Sequence, residues 1–335
     1  MHWKGGAMSF DVLWISRDEI ESLNITMPRI MQAVEQGFMA LGTNEVEMPA
    51  KIGIHPRENC FIHAMPCHVA GAVDHCGIKC VSGYPPNTPK GLPYISGIML
   101  LSEPETGLPR AVMDAGWITA WRTGAASGVY ASHFGRRDTQ SVAIVGAGVQ
   151  GKVNLIAMRE VFPKLRQVNV YDVSDTQTDN FLSEMRPELP AAEFKAYQDI
   201  STTVADADVI ITCTPIVESP KRFITKDMIK PEALCISVDY CSAFSEEIMQ
   251  EATFICDNRN QYIWTQKQGA YFQNGYPRAD SIYADMGEVC AGMKPGVREG
   301  LRGGVLMGIA SHDVMTASLV YGMAADKGLG TKVKL

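Results

Sequence analysis

The sequence predicts an α/β protein with a doubly wound parallel sheet in its second part and an antiparallel sheet with helices in its first third. Three observations predict it. Residues 141–151 read SVAIVGAGVQG, a short apolar strand entering a G-x-G-x-x-G turn and then an apolar helix. From there to residue 257, apolar runs at 168–171, 209–212, 233–238 and 253–257 alternate with helical stretches, the pattern of parallel strands joined by right-handed crossovers. Before Leu101 the runs are shorter, β-type and interrupted by turns. At 335 residues the chain exceeds what one core usually fills, so two domains are expected.

Residues 11–16 predict a strand, and Ser16-Arg17-Asp18-Glu19 a capping box opening a short helix. Ile30, Met31, Val34, Phe38, Met39 and Leu41 fall at helical spacing within 28–42. Strands are expected at 51–54, 60–63, 77–81 and 98–101, with the Pro/Gly-rich stretch 83–93 breaking them. A hairpin turn at 103–107 leads into a strand at 109–114. A helix at 118–135 is rich in small residues, including Thr123-Gly124-Ala125-Ala126-Ser127-Gly128, which permits close approach of another element. After the glycine loop come helices at 176–185, near 200–205 and at 246–251, with a strand near 194–197. Beyond Ser281, helices and turns lead to an amphipathic helix at 314–323 and a terminal strand within 328–335.

Each glycine of the loop answers a separate need. Gly146 allows the tight turn, Gly148 lets backbone approach a pyrophosphate, and Gly151 lets the helix pack on the strand. The helix N-terminus offers N–H groups to phosphates. Asp172, 21 residues after Gly151, ends the next strand, where a carboxylate accepts hydrogen bonds from an adenosine ribose. No Arg or Lys follows in Val173-Ser174-Asp175 to offset a 2′-phosphate, so the expected cofactor is NAD rather than NADP.

The formal net charge of −7 argues against a nucleic-acid or anionic-membrane surface, and no apolar run reaches a membrane-spanning length. The N-terminus carries no hydrophobic signal region. Nine cysteines in mostly apolar settings suit a reducing cytoplasm. Cys60, His63, Cys67, His68, His75, Cys76 and Cys80 are zinc-ligand types, but they lack paired C-x-x-C spacing, so buried thiols and no metal are expected. The apolar, β-rich first third is too small to cover both its faces, which predicts a dimer built by residues before about Leu101 and by the C-terminal helix.

Several stretches together carry a resemblance: Ala64-Met65-Pro66, Gly77-Ile78-Lys79, Pro86-Asn87, Ser102 to Gly107, Ala111 to Asp114, Arg122 to Ala126, the glycine loop, Val238-Asp239, Met286 to Val289 and Gly308 to Asp313. In order and spacing they resemble the ornithine cyclodeaminase/mu-crystallin family, which includes archaeal-type alanine dehydrogenases, imine reductases and amino-acid cyclodeaminases. The resemblance spans nearly the whole chain. It implies a homodimer in which residues 9–123 and 305–335 form a dimerisation and substrate-binding domain, with a Rossmann domain at 124–304 inserted between them.

The resemblance also implies site roles. Lys51 and Arg122 would hold a substrate carboxylate, Lys79 would be the active-site lysine, and Asp239 the catalytic aspartate. His63 stands where cyclodeaminases of the family carry an acid, and a histidine there can transfer protons. Cofactor contacts are expected from Gly146, Gly148, Val149, Gln150, Gly151 and Asp172, with Thr123, Thr212 and Thr214. The implied activity is NAD(H)-dependent oxidation or reduction of a small α-amino or α-imino acid. The competing implications are an NAD-dependent cyclodeaminase and a non-catalytic ligand binder. Outside the family, a strand lysine is ordinarily an edge residue in water and a helical arginine a surface residue.

Overall fold

The computed structural model describes residues 9–217, 219–268 and 274–335. In chain order the first part comprises β1 (Asp11–Ile15), α1 (Arg17–Ser22), α2 (Met27–Gly42), β2 (Val46–Glu47), β3 (Ile52–Ile54), β4 (Phe61–Val69), β5 (His75–Gly83), β6 (Ile95–Ser102), β7 (Pro109–Asp114) and α3 (Ala115–Phe134). Then follow β8 (Ser141–Val145), α4 (Val149–Val161), β9 (Gln167–Tyr171), α5 (Asp175–Met185), β10 (Glu193–Ala196), α6 (Ile200–Val204), β11 (Val209–Thr212), β12 (Leu234–Ser237), α7 (Glu246–Glu251) and β13 (Thr253–Cys256). The last elements are α8 (Arg259–Gln268), β14 (Ala284–Asp285), α9 (Met286–Cys290), β15 (Arg302–Val305), α10 (Ala310–Lys327) and β16 (Thr331–Lys334).

Two sheets result. The first runs β16-β1-β7-β6-β5-β4-β2, with β3 also paired to β4. It is antiparallel except at β1 and β7, which run parallel and so correct the all-antiparallel expectation. The chain leaves β1 into α1 and α2 and returns to that strand only after the β3–β6 meander, so no tight turn forces an antiparallel pair. The second sheet is parallel throughout, in the order β10-β9-β8-β11-β12-β15-β13-β14. After β10 the chain crosses to the other side of β8, so the carboxyl ends of β8 and β11 frame the switch point at which such sheets bind ligands.

Local chemistry sets the element ends. Ser16 and Glu19 form the expected capping box, the Ser16 Oγ accepting the Glu19 N–H at 3.3 Å and the Glu19 carboxylate accepting the Ser16 N–H at 2.8 Å. α3 begins three residues before the expected 118 because Asp114 ends β7 and also caps the helix, accepting the Trp117 N–H at 2.6 Å. The small residues of α3 do bring another helix close: a Cβ on Gly124 would lie 2.7 Å from Val153 of α4. α3 is one continuous helix across positions 123 and 124.

β15 escapes the sequence reading. Its sequence, RGGV, has two glycines, which weaken a strand signal. Each glycine meets a neighbour closely: a Cβ on Gly304 would fall 2.6 Å from the Tyr130 ring, and one on Gly303 2.8 Å from the Met249 sulfur. α10 begins four residues earlier than expected, because Ser311, His312 and Asp313 are polar yet buried in its first turns.

One buried cluster runs from Ile15, Val81 and Met113 through Ile118, Val129 and Phe134 of α3 to Val142 and Ile144. A second lies on the other face of the parallel sheet, around Ala143, Val145, Ile210, Cys235 and Phe254. Burial on both faces explains why these strands are apolar at successive positions. In the first sheet, among the described residues, α10 and α3 pack against β4, β5 and β6.

Candidate active site

Met65, Lys79, Met99 and Met113 are direct neighbours across β4, β5, β6 and β7, on the face covered by α10. A lysine thus stands in a row of methionines, with its side chain wholly buried. Its partner comes from the first turns of α10: Nζ donates to Asp313 Oδ1 at 2.7 Å. The same oxygen accepts from Arg122 Nε at 2.9 Å, where Arg122 projects from α3. Asp313 near an N-terminal helix end is favoured by the helix dipole, and its charge is shared by two cations. Burial moves the Lys79 pKa from 10.5 down to about 7; Asp313 opposes the shift while Arg122 and Lys51 add to it.

Arg122 lies against Gly308, in the turn between β15 and α10. Gly308 has φ +78°, and a Cβ there would fall 2.1 Å from Arg122 Nη1, so glycine is required twice over. Lys51 is buried as well. Its Nζ donates to Tyr240 Oη at 2.6 Å and to the Met307 and Gly308 carbonyls at 2.7 and 3.3 Å. Lys51 therefore ties the first sheet to the carboxyl ends of β12 and β15. Tyr240 adopts φ +64°, the conformation that lets the chain turn after Asp239 without a glycine.

His63 on β4 stacks on Phe61 with ring centroids 4.3 Å apart. Burial, with Lys51, His55 and Lys79 nearby, pushes its pKa down to about 3, so it is a neutral imidazole. Asp239 follows β12 and is buried among hydroxyls. Oδ1 accepts from Thr212 Oγ1 at 2.6 Å and Ser237 Oγ at 2.9 Å, and Oδ2 accepts from the Thr214 hydroxyl and its N–H. Burial raises the Asp239 pKa against the pull of these donors. Among the described residues Asp239 shares no hydrogen bond with Lys79 or Arg122. Thr212 and Thr214 spend their hydroxyls on Asp239, and Thr123 donates its own to the Thr119 carbonyl at 2.6 Å.

The glycine loop behaves as its three needs require. Gly146 has φ +106°, its N–H bonded to the Tyr171 carbonyl at 2.9 Å. A Cβ on Gly151 would lie 2.2 Å from the Gly146 carbonyl, whereas one on Gly148 would meet nothing within 4 Å. Gly148 caps α4 without a side chain, so the first N–H groups of α4, at Val149 and Gln150, face that open space. Asp172 accepts the Ala147 N–H at 2.7 Å and the Ser174 N–H at 2.9 Å, which ties its carboxylate to the loop. This donor set and open cradle fit a dinucleotide with a free 2′-hydroxyl.

The sequence reading missed Asp313, Asp257, Gln261 and Tyr240. Asp313 stood in a quoted stretch, yet a polar residue opening a helix carries no special signal. Among the described residues the cysteine and histidine run from Cys60 to Cys80 gathers no three ligand atoms; such a grouping occurs at Glu35, His133 and Cys290, where His133 Nε2 lies 3.2 Å from Glu35. No helix among the described residues is long and apolar enough to cross a membrane.

A parallel nucleotide-type sheet whose β15 runs into Gly308 against the buried Lys79–Asp313–Arg122 cluster defines the class: a two-sheet protein with a dinucleotide fold and a buried cationic cluster beside it. The profile of the ornithine cyclodeaminase/mu-crystallin family matches residues 12–328, and the chain belongs to that family. It is 31% identical over 331 residues to an alanine dehydrogenase of Archaeoglobus fulgidus, covering 97% of this chain and 98% of that one. Its fold superposes with TM-score 0.86 on the Δ1-pyrroline-2-carboxylate reductase of Thermococcus litoralis in complex with NADH and L-proline, at 30% identity over 96% of this chain and 100% of that one. An archaeal alanine dehydrogenase dimer with bound NAD gives TM-score 0.84 at 29% identity, over 97% and 100% of the two chains.

Proposed function

We propose that the protein is an NAD(H)-dependent oxidoreductase of a small α-amino or α-imino acid, an amino-acid dehydrogenase or imine reductase. The observation that carries this reading is the Lys79–Asp313–Arg122 cluster, wholly or nearly buried where β5, α10 and α3 meet. A buried cation pair sharing one carboxylate is costly unless it serves binding or proton transfer. The relatives named above add the chemistry: alanine dehydrogenase and pyrroline-2-carboxylate reductase both handle a carboxylate next to an amine or imine carbon.

The glycine loop with Val149, Gln150 and Asp172 would hold the dinucleotide, which when bound would supply the hydride for the imine carbon. Arg122 and Lys51 hold the substrate carboxylate and set the face presented to the cofactor. Lys79, with a pKa near 7, holds a proton at Nζ and passes it to the imine nitrogen as the C=N π pair becomes the new N–H bond; the reverse removes it. His63 is neutral and acts as a polar wall or proton relay. Asp239, raised by burial, orients the substrate nitrogen from the dinucleotide side.

Residues 9–123 and 305–335 form the substrate and dimerisation domain, and 124–304 the inserted Rossmann domain. The outer face of the first sheet supports a homodimer. Trp14, Ile52 and Ile98 are exposed there, on the side opposite Lys79. Light scattering at micromolar concentration tests it, and a monomer refutes it. The nine free thiols support a reducing, cytoplasmic setting for the protein.

The activity test is NADH oxidation with pyruvate plus ammonium and with Δ1-pyrroline-2-carboxylate. Stoichiometric NADH loss with amine formation is expected. Ammonia release from ornithine without net NADH change would refute the reading in favour of a cyclodeaminase.

A further inference from the structure

Gly308, through the peptides on its two sides, joins residues from four parts of the chain. Its N–H donates to Asp257 Oδ2 at 2.6 Å. Its carbonyl accepts from Gln261 Nε2 at 3.1 Å and Lys51 Nζ at 3.3 Å. Its α-carbon lies beneath the Arg122 guanidinium, close enough that a Cβ would collide with three guanidinium atoms. The Gly308 N–H shares its peptide with the Met307 carbonyl, which takes Lys51 Nζ at 2.7 Å, and the Gly308 α-carbon lies against Arg122, so the seating of this corner bears on where both cations stand.

Asp257 follows β13 directly and is completely buried. Its second oxygen accepts the Asn258 N–H at 2.9 Å, and Asn258 Oδ1 in turn accepts the Gln261 N–H at 2.7 Å. Two backbone donors do not require a charged acceptor at this depth, since a neutral amide or hydroxyl oxygen can take a backbone N–H. Burial pushes the Asp257 pKa up to about 6, and Lys51, the Gly308 and Asn258 N–H groups and Arg122 pull against it in favour of the charge.

We propose that Asp257 is a positioning residue for the substrate carboxylate: it holds the Gly308 N–H and so seats the peptide on which Lys51 and Arg122 rest. This rests on the reading of the pocket as an amino- or imino-acid site. Asp257 makes no contact with the substrate in this scheme. It acts through Gly308, and the negative charge beneath the corner offsets two cations buried against it.

The test is Asp257→Asn in the full-length protein, assayed with whichever of pyruvate plus ammonium or Δ1-pyrroline-2-carboxylate the wild type reduces. The amide keeps the shape but offers one acceptor where two N–H groups need one each. The KM for the acid should rise about tenfold, kcat should change less than about threefold, and NADH affinity should be unchanged. A merely structural role would lower the melting temperature and the active fraction while leaving KM in place. KM within about twofold of wild type overturns the proposal. Should Asp257→Asn fail to fold, Asp257→Ser, smaller and neutral, is read by the same split, and Gly308→Ala should give the same KM-selective loss by pushing on Arg122. Arg122→Ala runs in parallel. If it too leaves KM unmoved, the reading of the pocket itself fails; if it raises KM while Asp257→Asn does not, only this inference fails.

Discussion

Lys79→Met should separate the stability of this protein from its activity. The variant completes a row of methionines, Met65, Met99 and Met113 being the cross-strand neighbours, with little change in volume. In the folded protein Lys79 titrates near 7, against 10.5 when exposed. Between those values the unfolded chain holds the proton and the folded chain has released it, so stability rises with pH across that window and the penalty is fully present below pH 7. For this one group the linkage relation gives a rise of about 2 kcal/mol between pH 7 and pH 9. The variant lacks the group and therefore the rise. Denaturant unfolding of both proteins at the two pH values isolates it, since other titrations cancel in the difference. The stability of Lys79→Met relative to wild type should fall by about 2 kcal/mol from pH 7 to pH 9, while turnover drops by about 10²–10⁴-fold. A difference independent of pH would show that Lys79 keeps its proton throughout as a fixed ion pair with Asp313. That result would refute its role in proton transfer.

Gly148→Ala should fold with an unchanged melting temperature, because its Cβ meets open space, yet bind NADH at least about tenfold more weakly by fluorescence titration. Gly151→Ala should instead lose stability in the same melting assay, its Cβ falling 2.2 Å from a carbonyl oxygen. NADH should outperform NADPH in side-by-side kinetics, and Asp172→Ser with Val173→Arg should shift the preference toward NADPH, Val173 being 92% exposed beside the ribose position. Arg122→Ala should raise the KM for the acid substrate, removing an interaction of about 2–5 kcal/mol, with NADH binding kept.

The sequence by itself determined most strands of the parallel sheet, the glycine loop and the acid, Asp172, that ends the next strand. These are local: strand, turn and helix lie within about 30 residues, and Gly151 answers to Gly146 and Ile144 in that span, although Gly146 also meets Cys213 after β11. The capping box at Ser16 and the closely packed helix at α3 were legible for the same reason. Lys79, Arg122 and Lys51 stood out as site candidates by family pattern alone, because nothing local distinguishes a buried lysine from a solvated one. Tertiary structure decided what those residues face. Asp313 lies 234 positions from Lys79 and 191 from Arg122, so their shared hydrogen bonds have no trace in any sequence window. Asp257 looked like one more acid at a strand end, until the Gly308 N–H was placed on it. β15 was hidden because its two glycines make room for Tyr130 and Met249, side chains that only the folded core brings to that strand.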